Sequence, residues 1–265
     1  LQAVGLTLPS EAQWEYVARA GSTTPWSSGL ERSSVFRVAN LADMRYARHY
    51  RDHDAELLPT PSNQGLIDWL GETCDRFDRS IDVLDLGCGT GRYFWGLRRV
   101  RTLVGLDASA AMLVEARHPV HQDRVTAESV TLVNGDLMLH EFAAATFDLV
   151  YSIGVLAEHV PLDAGVIARV RRWLRPGGRF AFTTVHPSSS SVTRTWPRRA
   201  AEWALPMLPD RLSRPLHHRL VDRGRYADER WLTEQLAGGF VIESLTRFQT
   251  DVHLHGLCVA RKEGR

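Results

Sequence analysis

Residues 44–265 of this 265-residue chain are predicted to form an α/β protein with a doubly wound, mostly parallel sheet of seven strands and an antiparallel last strand. Three observations predict this fold. Short apolar runs alternate with segments of helical spacing between residues 44 and 186. The first of these runs ends in a glycine-rich turn, as strands that lead into a ligand site often do. The last two runs are joined by about six residues, too few for a helical crossover, so they are expected to pair antiparallel.

Strands are predicted where short apolar runs are bounded by turn residues. They cover residues 81–86, 102–106, 130–133, 147–152, 179–185, 240–247 and 254–261. Helices are predicted from apolar positions that recur every three or four residues. They cover residues 46–58 and 66–77, begin at about Arg92, and continue over 110–116, 164–174 and 228–236. Pro176-Gly177-Gly178 is expected to form the turn that precedes the fifth strand.

The composition is that of an ordinary globular protein, with 44% hydrophobic and 24% charged residues. A formal net charge of +1 makes a nucleic-acid partner unlikely on electrostatic grounds. No apolar run is long enough to span a membrane, and no secretory signal is visible, so we expect a cytoplasmic protein. The three cysteines, Cys74, Cys88 and Cys258, lie far apart, which argues against a disulfide framework and against a metal site.

Residues 1–43 differ in character from the rest of the chain. Ser10 and Gln13 have the spacing of a helix capping box, and Gly21 is placed to end that helix. The run LPSEAQWEYVARAG over residues 8–21 resembles a signature stretch of the formylglycine-generating (sulfatase-modifying factor) family, and residues 39–43 extend the resemblance. That family's domain is several times longer, and its catalytic cysteines lie further along. We therefore interpret residues 1–43 as a remnant-like segment, with a chance helix and loop as the alternative.

The most informative segment is the glycine-rich turn after the first strand. Glycines at positions 87, 89 and 91 leave the backbone open to close approach by a ligand. A dinucleotide fingerprint requires its third glycine at position 92, where this chain has Arg92. Asp85, two residues before the turn, suits a cationic sulfonium or ammonium ligand better than a diphosphate. The pattern therefore disfavours a pyrophosphate cofactor.

The run DLGCGTG over residues 85–91 resembles the first motif of class I S-adenosylmethionine (SAM) dependent methyltransferases. Residues 135–137, 147–152 and 173–178 resemble later motifs of that family, in the right order. The resemblance implies SAM as the cofactor, with Asp107 on the ribose hydroxyls and Asp136 near the adenine amino group. The cofactor-binding residues that it implies are Asp85, Gly87, Cys88, Gly89, Gly91, Asp107, Ala108, Asp136, Leu137 and Ser152.

Methyl transfer from a sulfonium is an in-line displacement that needs alignment more than acid–base chemistry. A general base helps when the acceptor is a hydroxyl or a protonated amine. His159, after the fourth strand, and His186, after the fifth, are the candidate catalytic residues, although each could simply hold its loop. His253 and His255 alternate at the start of the last strand, but two histidines alone make a poor metal site.

Residues 187–225 are the predicted substrate cover within the domain of residues 44–265. They carry eight arginines and three acidic residues, together with tryptophans and prolines. Such an insertion at the active-site edge could select an acidic or aromatic small molecule, whereas a solvated helical insertion or a dimer contact is the alternative. The run Tyr151-Ser152-Ile153-Gly154 lacks the Asn/Asp-Pro-Pro-Tyr/Phe motif of base-amino methyltransferases.

The sequence therefore predicts a methyltransferase that uses SAM to modify oxygen or nitrogen of a small molecule. Two rivals are an NAD-linked oxidoreductase on a similar sheet and a non-catalytic protein that keeps the fold for partner binding. A formylglycine-type activity of residues 1–43 is disfavoured because most of that domain is missing.

Overall fold

The computed structural model of this protein describes residues 44–189, 227–250 and 253–264. The chain divides into two units, Leu1–Tyr46 and Ala47–Arg265, and nearly all described residues belong to the second. The capped helix expected near Ser10 and most of the substrate cover expected over residues 187–225 lie outside the described residues. Within the described part, no helix is long and apolar enough to cross a membrane.

The described part of the chain contains five α-helices and seven strands. The helices are α1 Met44–Leu57, α2 Pro61–Asp75, α3 Ala110–Ala116, α4 Ala164–Trp173 and α5 Glu229–Leu236. The strands are β1 Ile81–Leu86, β2 Val100–Asp107, β3 Ser129–Asn134, β4 Phe147–Ser152, β5 Leu174–Val185, β6 Phe240–Gln249 and β7 Leu254–Lys262. Side-chain oxygens cap four helix starts. Thr60 caps α2, Ser109 caps α3, Asp163 caps α4 and Asp228 caps α5.

All seven strands form one sheet in the order β3-β2-β1-β4-β5-β7-β6. Strands β1 to β5 pair in parallel, and β7 lies antiparallel between β5 and β6. The predicted mixed seven-stranded sheet is confirmed. Because β7 runs against its neighbour, its first residues lie at the same edge as the carboxyl end of β5, where Val185 pairs with His255.

Helices cover both faces of the sheet, because the inner strands alternate buried side chains to each side. On one face, Leu84, Val150 and Phe182 pack with α4 and α5, whose buried side chains include Trp173 and Leu232. On the opposite face, the buried side of α2 packs in one core with Val83, Leu103, Leu149 and Tyr151. The two cores hold the strand ends rigid, and those ends carry the site described below.

The helix expected from about Arg92 is not present. A single 3₁₀ turn, Phe94–Gly96, stands in its place. Residues 92–99 must return the chain along β1, a strand about 20 Å long at 3.3 Å per residue. Eight helical residues would span only about 12 Å, because a helix rises 1.5 Å per residue. A regular helix over these residues would fall short, and the chain instead passes through turns, the 3₁₀ segment and an extended residue at Leu97. The prediction was wrong because it did not consider chain length.

The turn expected at Pro176-Gly177-Gly178 lies within β5 as an irregularity. Phe147 pairs with Leu174, and the next partners are Leu149 and Arg179, so β5 advances further than β4 between the two pairs. Gly177 takes up the excess with a φ of 74°. The sequence indicated the break in regular structure correctly, and the strand resumes its register at Arg179.

A network of charges joins the amino ends of β1, β4 and β5. The buried carboxylate of Asp148 accepts hydrogen bonds from Arg79 at 2.7 Å, from Arg175 at 2.8 Å and from the Asp82 amide at 2.9 Å. Asp82 in turn pairs with Arg101 and Arg175. The arginine hydrogen bonds keep the pKa of Asp148 below its usual value despite its burial. This network lies at the sheet edge opposite the glycine turn.

Replacing Asp148 with alanine is expected to lower the free energy of unfolding by about 2–4 kcal/mol, because it leaves the buried Asp82 amide without its acceptor. Urea titration at pH 7 measures this change, and Asp68→Ala, at an exposed position, is the control. Arg101 lowers the pKa of Asp82 to about 2. Because the pKa of Asp82 is lower in the folded protein than in the unfolded chain, the ionised carboxylate stabilises the fold. This contribution to the free energy of unfolding is complete above pH ~4 and is lost as the pH falls toward 2. A loss for Asp148→Ala no larger than that of the control would contradict this account.

Candidate functional site

The glycine turn after β1 is held open by its backbone conformation. Gly87, Gly89 and Gly91 have φ values of 81°, 55° and 76°, in the left-handed region that favours glycine. The amides of Gly87 and Cys88 both donate to the Leu106 carbonyl, at 2.8 and 3.1 Å, which fastens the turn to the end of β2. The turn therefore has a fixed shape at the carboxyl edge of the sheet.

The three glycines are required for different reasons. A Cβ at position 87 would lie 2.6 Å from Val155, and one at position 91 would lie 2.7 Å from Phe94. A Cβ at position 89 would meet nothing within 4 Å. Gly87 and Gly91 are thus required for packing, whereas Gly89 borders open space. It is the glycine whose missing side chain leaves room for a ligand.

Asp107 ends β2 beside this space. One carboxylate oxygen accepts from the Gly89 amide at 2.8 Å, and the other accepts from the Ser109 amide at 2.8 Å. Burial raises the pKa of Asp107, and these two amides oppose that rise. Each carboxylate oxygen can accept more than one hydrogen bond, so the residue can hold the turn and still accept ligand hydroxyls.

Asp85 lies beneath the turn and is almost fully buried. The Tyr151 hydroxyl donates to it at 2.6 Å. Burial raises the pKa of Asp85 to about 8, so the carboxyl group is mostly protonated at pH 7. Tyr151, for which the sequence left site and core equally open, packs in the core that includes Leu149.

Three predicted cofactor residues have structural contacts in addition to any role toward a ligand. The Ser152 hydroxyl donates to the Leu86 carbonyl at 2.8 Å and joins the ends of β4 and β1. The Cys88 thiol lies against Gly105, where an added Cβ would approach it to 2.9 Å. Leu137 belongs to the core on the α4 side. Their side chains point into the protein, so any contact with a cofactor would come mainly from their backbone atoms.

Ala108 and Asp136 complete the edge formed by β2 and β3. Ala108 is exposed, and its carbonyl accepts from the Asn134 side chain at 3.0 Å. Asp136 is half-buried and caps the following turn, accepting from the Met138 amide at 2.8 Å. Together with the glycine turn and Asp107, these residues lie along the carboxyl edge of the sheet.

The two predicted catalytic histidines differ in environment. His159 is exposed on the loop after β4, where its amide donates to the Val155 carbonyl at 2.8 Å. His186 is buried after β5, and both of its ring nitrogens are engaged. Nδ1 accepts from the Ser188 amide at 3.1 Å, and Nε2 lies 3.3 Å from Glu229. Because Nδ1 accepts, Nε2 carries the proton, so His186 has no ring nitrogen available as a base in this arrangement.

Asp54, on α1, is a residue that the sequence analysis missed. It is buried, and it accepts hydrogen bonds from Thr90 and Arg92, which flank Gly91. Burial raises the pKa of Asp54, and the Arg92 guanidinium opposes that rise. The contact ties α1 to the glycine turn. No local pattern signals it, because Thr90 lies 36 residues further along the chain.

Among the described residues, no group of three or more His, Cys, Asp or Glu side chains could hold a metal ion. His253 and His255 lie edge to face with their ring centroids 5.6 Å apart. Cys74, Cys88 and Cys258 are free and buried.

Comparison with known families gives a match to a methyltransferase domain over residues 83–178. The matched stretch begins in β1, contains the glycine turn, Asp107 and Asp136, and ends in the irregular part of β5. It covers every residue of the edge described above.

Two curated relatives illustrate the range of similarity. The sterol 24-C-methyltransferase of Eremothecium gossypii is 36% identical over 105 residues, which cover 37% of this chain and 26% of the relative. The ubiquinone biosynthesis O-methyltransferase of Pseudomonas syringae pv. tomato is 27% identical over 184 residues, covering 69% of this chain and 74% of the relative. The match to the sterol enzyme thus spans about a quarter of that protein's length.

Solved structures share the fold. An S-adenosylmethionine dependent methyltransferase from Mesorhizobium loti superposes with a TM-score of 0.51 at 24% identity, covering 75% of this chain and 99% of that one. The [4+2]-cyclase SpnF superposes with a TM-score of 0.56 at 17% identity, covering 77% and 82%. At these identities the likeness establishes the architecture alone.

Proposed function

We propose that the protein is a SAM-dependent methyltransferase that transfers a methyl group to oxygen or nitrogen of a small molecule, and the match of residues 83–178 to a methyltransferase domain supports this. The observation that carries the proposal is the juxtaposition of Gly89 and Asp107. The Gly89 amide donates to the Asp107 carboxylate at 2.8 Å, and both residues border the same space at the carboxyl edge of the sheet.

The residues at this edge fit SAM. The space beside Gly89 is one that a Cβ would enter, so a ligand can approach the backbone there. Asp107 supplies carboxylate oxygens for ribose hydroxyls, and Asp136 follows the next strand, β3, where adenine would be bound. Asp85, held under the turn by Tyr151, provides a group that becomes an anion when a positive charge comes near.

SAM, when bound, supplies a methyl group already activated by the positive charge on sulfur. The protein's own task is to align the acceptor and exclude water. Ser152 fixes the end of β4 to β1 through the Leu86 carbonyl, and Val155 packs against Gly87, so the loop that follows β4 is positioned against the glycine turn.

For the acceptor, we propose a small molecule of acidic or aromatic character. The eight arginines and two tryptophans within residues 187–225 support this assignment, since such residues suit anionic and flat ligands. The names of the two curated relatives, which concern sterols and ubiquinone biosynthesis, support a small-molecule acceptor without specifying it.

Titration calorimetry tests the cofactor part of the proposal. We expect SAM and its demethylated product to bind and NADH not to bind, because position 92 is arginine where a dinucleotide site requires glycine. Transfer of labelled methyl groups from SAM into a cell metabolite extract then identifies the acceptor. Binding of NADH in preference to SAM would support the oxidoreductase alternative. Binding of SAM without transfer would support a non-catalytic protein that keeps the fold for partner binding.

We also propose that residues 1–43 are a remnant-like segment that the methyltransferase domain does not need. The resemblance of residues 8–21 to a signature stretch of the formylglycine-generating family supports this interpretation. A chain that begins at Met44 is expected to bind SAM with an affinity within about threefold of the full chain, measured by calorimetry. Loss of binding on truncation would refute it.

The three free cysteines support a reducing, cytoplasmic location.

A further inference from the structure

A second polar cluster lies on the other half of the same sheet edge. The glycines and carboxylates proposed to bind the cofactor lie at or after the carboxyl ends of β1, β2 and β3, whereas this cluster lies after β4, at the carboxyl end of β5 and at the start of β7. It consists of Glu158, Thr184 and His255. Thr184 is fully buried and His255 is 9% exposed. The proposed function has not used any of the three.

The cluster contains polar atoms without partners. Glu158 Oε1 lies 3.8 Å from His255 Nδ1, too far for a hydrogen bond. These two atoms and Thr184 Oγ1 are buried and have no hydrogen-bond partner among the described residues. Leaving a buried polar atom unpaired is costly, which indicates that the atoms serve a group from outside the protein. A single hydroxyl or amine can lie within hydrogen-bond distance of both Glu158 and His255.

The electrostatics of the pair favour proton transfer. Burial raises the pKa of Glu158 to about 7. Burial, with a smaller effect of the neighbouring His253, lowers the pKa of His255 to about 4. At pH 7 the His255 imidazole is therefore neutral, while the Glu158 carboxyl group is present in both its protonated and its ionised form. A general base is most effective when its pKa lies near the working pH.

The loop that carries Glu158 also touches the cofactor turn. Val155, three residues earlier, packs against Gly87, and Leu156 pairs with Val160 to close the loop. The pair thus lies beside the cofactor half of the edge, on the side left for an acceptor. His186, by contrast, has both ring nitrogens engaged.

We propose that Glu158 is the proton acceptor for the methylated group and that His255 hydrogen-bonds the same group and orients it. The inference rests on the proposed function. A lone pair of the acceptor hydroxyl or amine forms the new bond to the methyl carbon, and the electrons of the carbon–sulfur bond stay on sulfur. The proton that the acceptor loses passes to the Glu158 carboxylate. The pair therefore selects acceptors that have a proton to give up.

The test uses the full chain, methyl-labelled SAM and a panel of small phenols, alcohols, amines and thiols. Transfer by the wild type is expected to a hydroxyl or amine, with a rate that rises through pH ~7 as Glu158 ionises. Glu158→Gln should lower kcat by about 100- to 1000-fold and remove the acidic limb of the pH profile. His255→Asn should lower kcat by about tenfold. Both variants should keep SAM affinity within about twofold, because neither residue lies at the cofactor half of the edge.

Glu128→Gln, at an exposed position before β3, is the matched control and should leave the rate unchanged. The wild-type pH profile needs no variant, so misfolding of Glu158→Gln would leave the test intact. A Glu158→Gln rate within threefold of wild type, a pH profile without a limb near 7, or transfer only to thiols or to nothing in the panel overturns the inference. Absence of SAM binding by the wild type would instead remove the proposed function itself.

Discussion

Replacement of Asp107 by alanine is expected to weaken SAM binding by about 30- to 1000-fold, which corresponds to about 2–4 kcal/mol. The variant loses the carboxylate proposed to accept the ribose hydroxyls. It also leaves the Gly89 amide, now held at 2.8 Å, without an acceptor, so the turn itself is less well ordered. Titration calorimetry with the demethylated product of SAM measures the affinity without turnover.

Asp107→Asn separates the two contributions. The amide oxygen can still accept one backbone hydrogen bond, whereas the amide nitrogen cannot accept any. An affinity between those of wild type and Asp107→Ala is therefore expected. Asp68→Ala, at an exposed position on α2, is the control for the loss of a negative charge. An unchanged affinity in Asp107→Ala would show that the ribose is not bound at the end of β2.

Replacement of Gly89 by valine is expected to lower SAM affinity by about 100-fold or more, because the new side chain would occupy the open space at the turn. The φ of 55° at this position adds backbone strain of about 1–2 kcal/mol to the free energy of folding. The variant should thus be moderately less stable and nearly unable to bind the cofactor.

Gly177→Val is a matched control on the same sheet. Gly177 has a φ of 74°, and a Cβ there would also meet nothing within 4 Å. It lies in the irregular part of β5, near the edge that carries Asp148, away from the glycine turn. Both variants should lose similar stability in urea titration, but only Gly89→Val should lose binding. Equal binding losses would mean that destabilisation, not occupation of the cofactor space, explains the Gly89 result.

The sequence predicted the sheet well because burial and local pattern agree there. Strands β1 and β4 are fully buried runs bounded by turn residues, and their predicted limits match the structure. The glycine turn was identified from the spacing of Gly87, Gly89 and Gly91 directly after a buried strand. The edge formed by the turn, Asp107 and Asp136 follows from strand order alone, since parallel strands place their carboxyl ends together.

The parts that could not be predicted depend on contacts between distant segments. The helix expected after Arg92 is absent because the connection from β1 to β2 is short, and hydropathy does not report the length of a connection. Asp54 reaches the glycine turn from α1, and Glu158 meets His255 only because β7 enters the sheet beside β5. The inward orientation of the Cys88 and Ser152 side chains likewise depends on the neighbouring strands.

The protonated state of Asp85 links the cofactor to the solvent. A carboxyl group with a pKa of about 8 holds its proton in the free protein at neutral pH. When a sulfonium or ammonium group arrives nearby, the anion becomes favoured and that proton must leave. On the proposed function, uptake of the methyl donor would exchange one cation for another, with little change in the charge enclosed under the turn. We expect this exchange to reduce the cost of enclosing a charged ligand and to couple release of the ligand to the return of a proton.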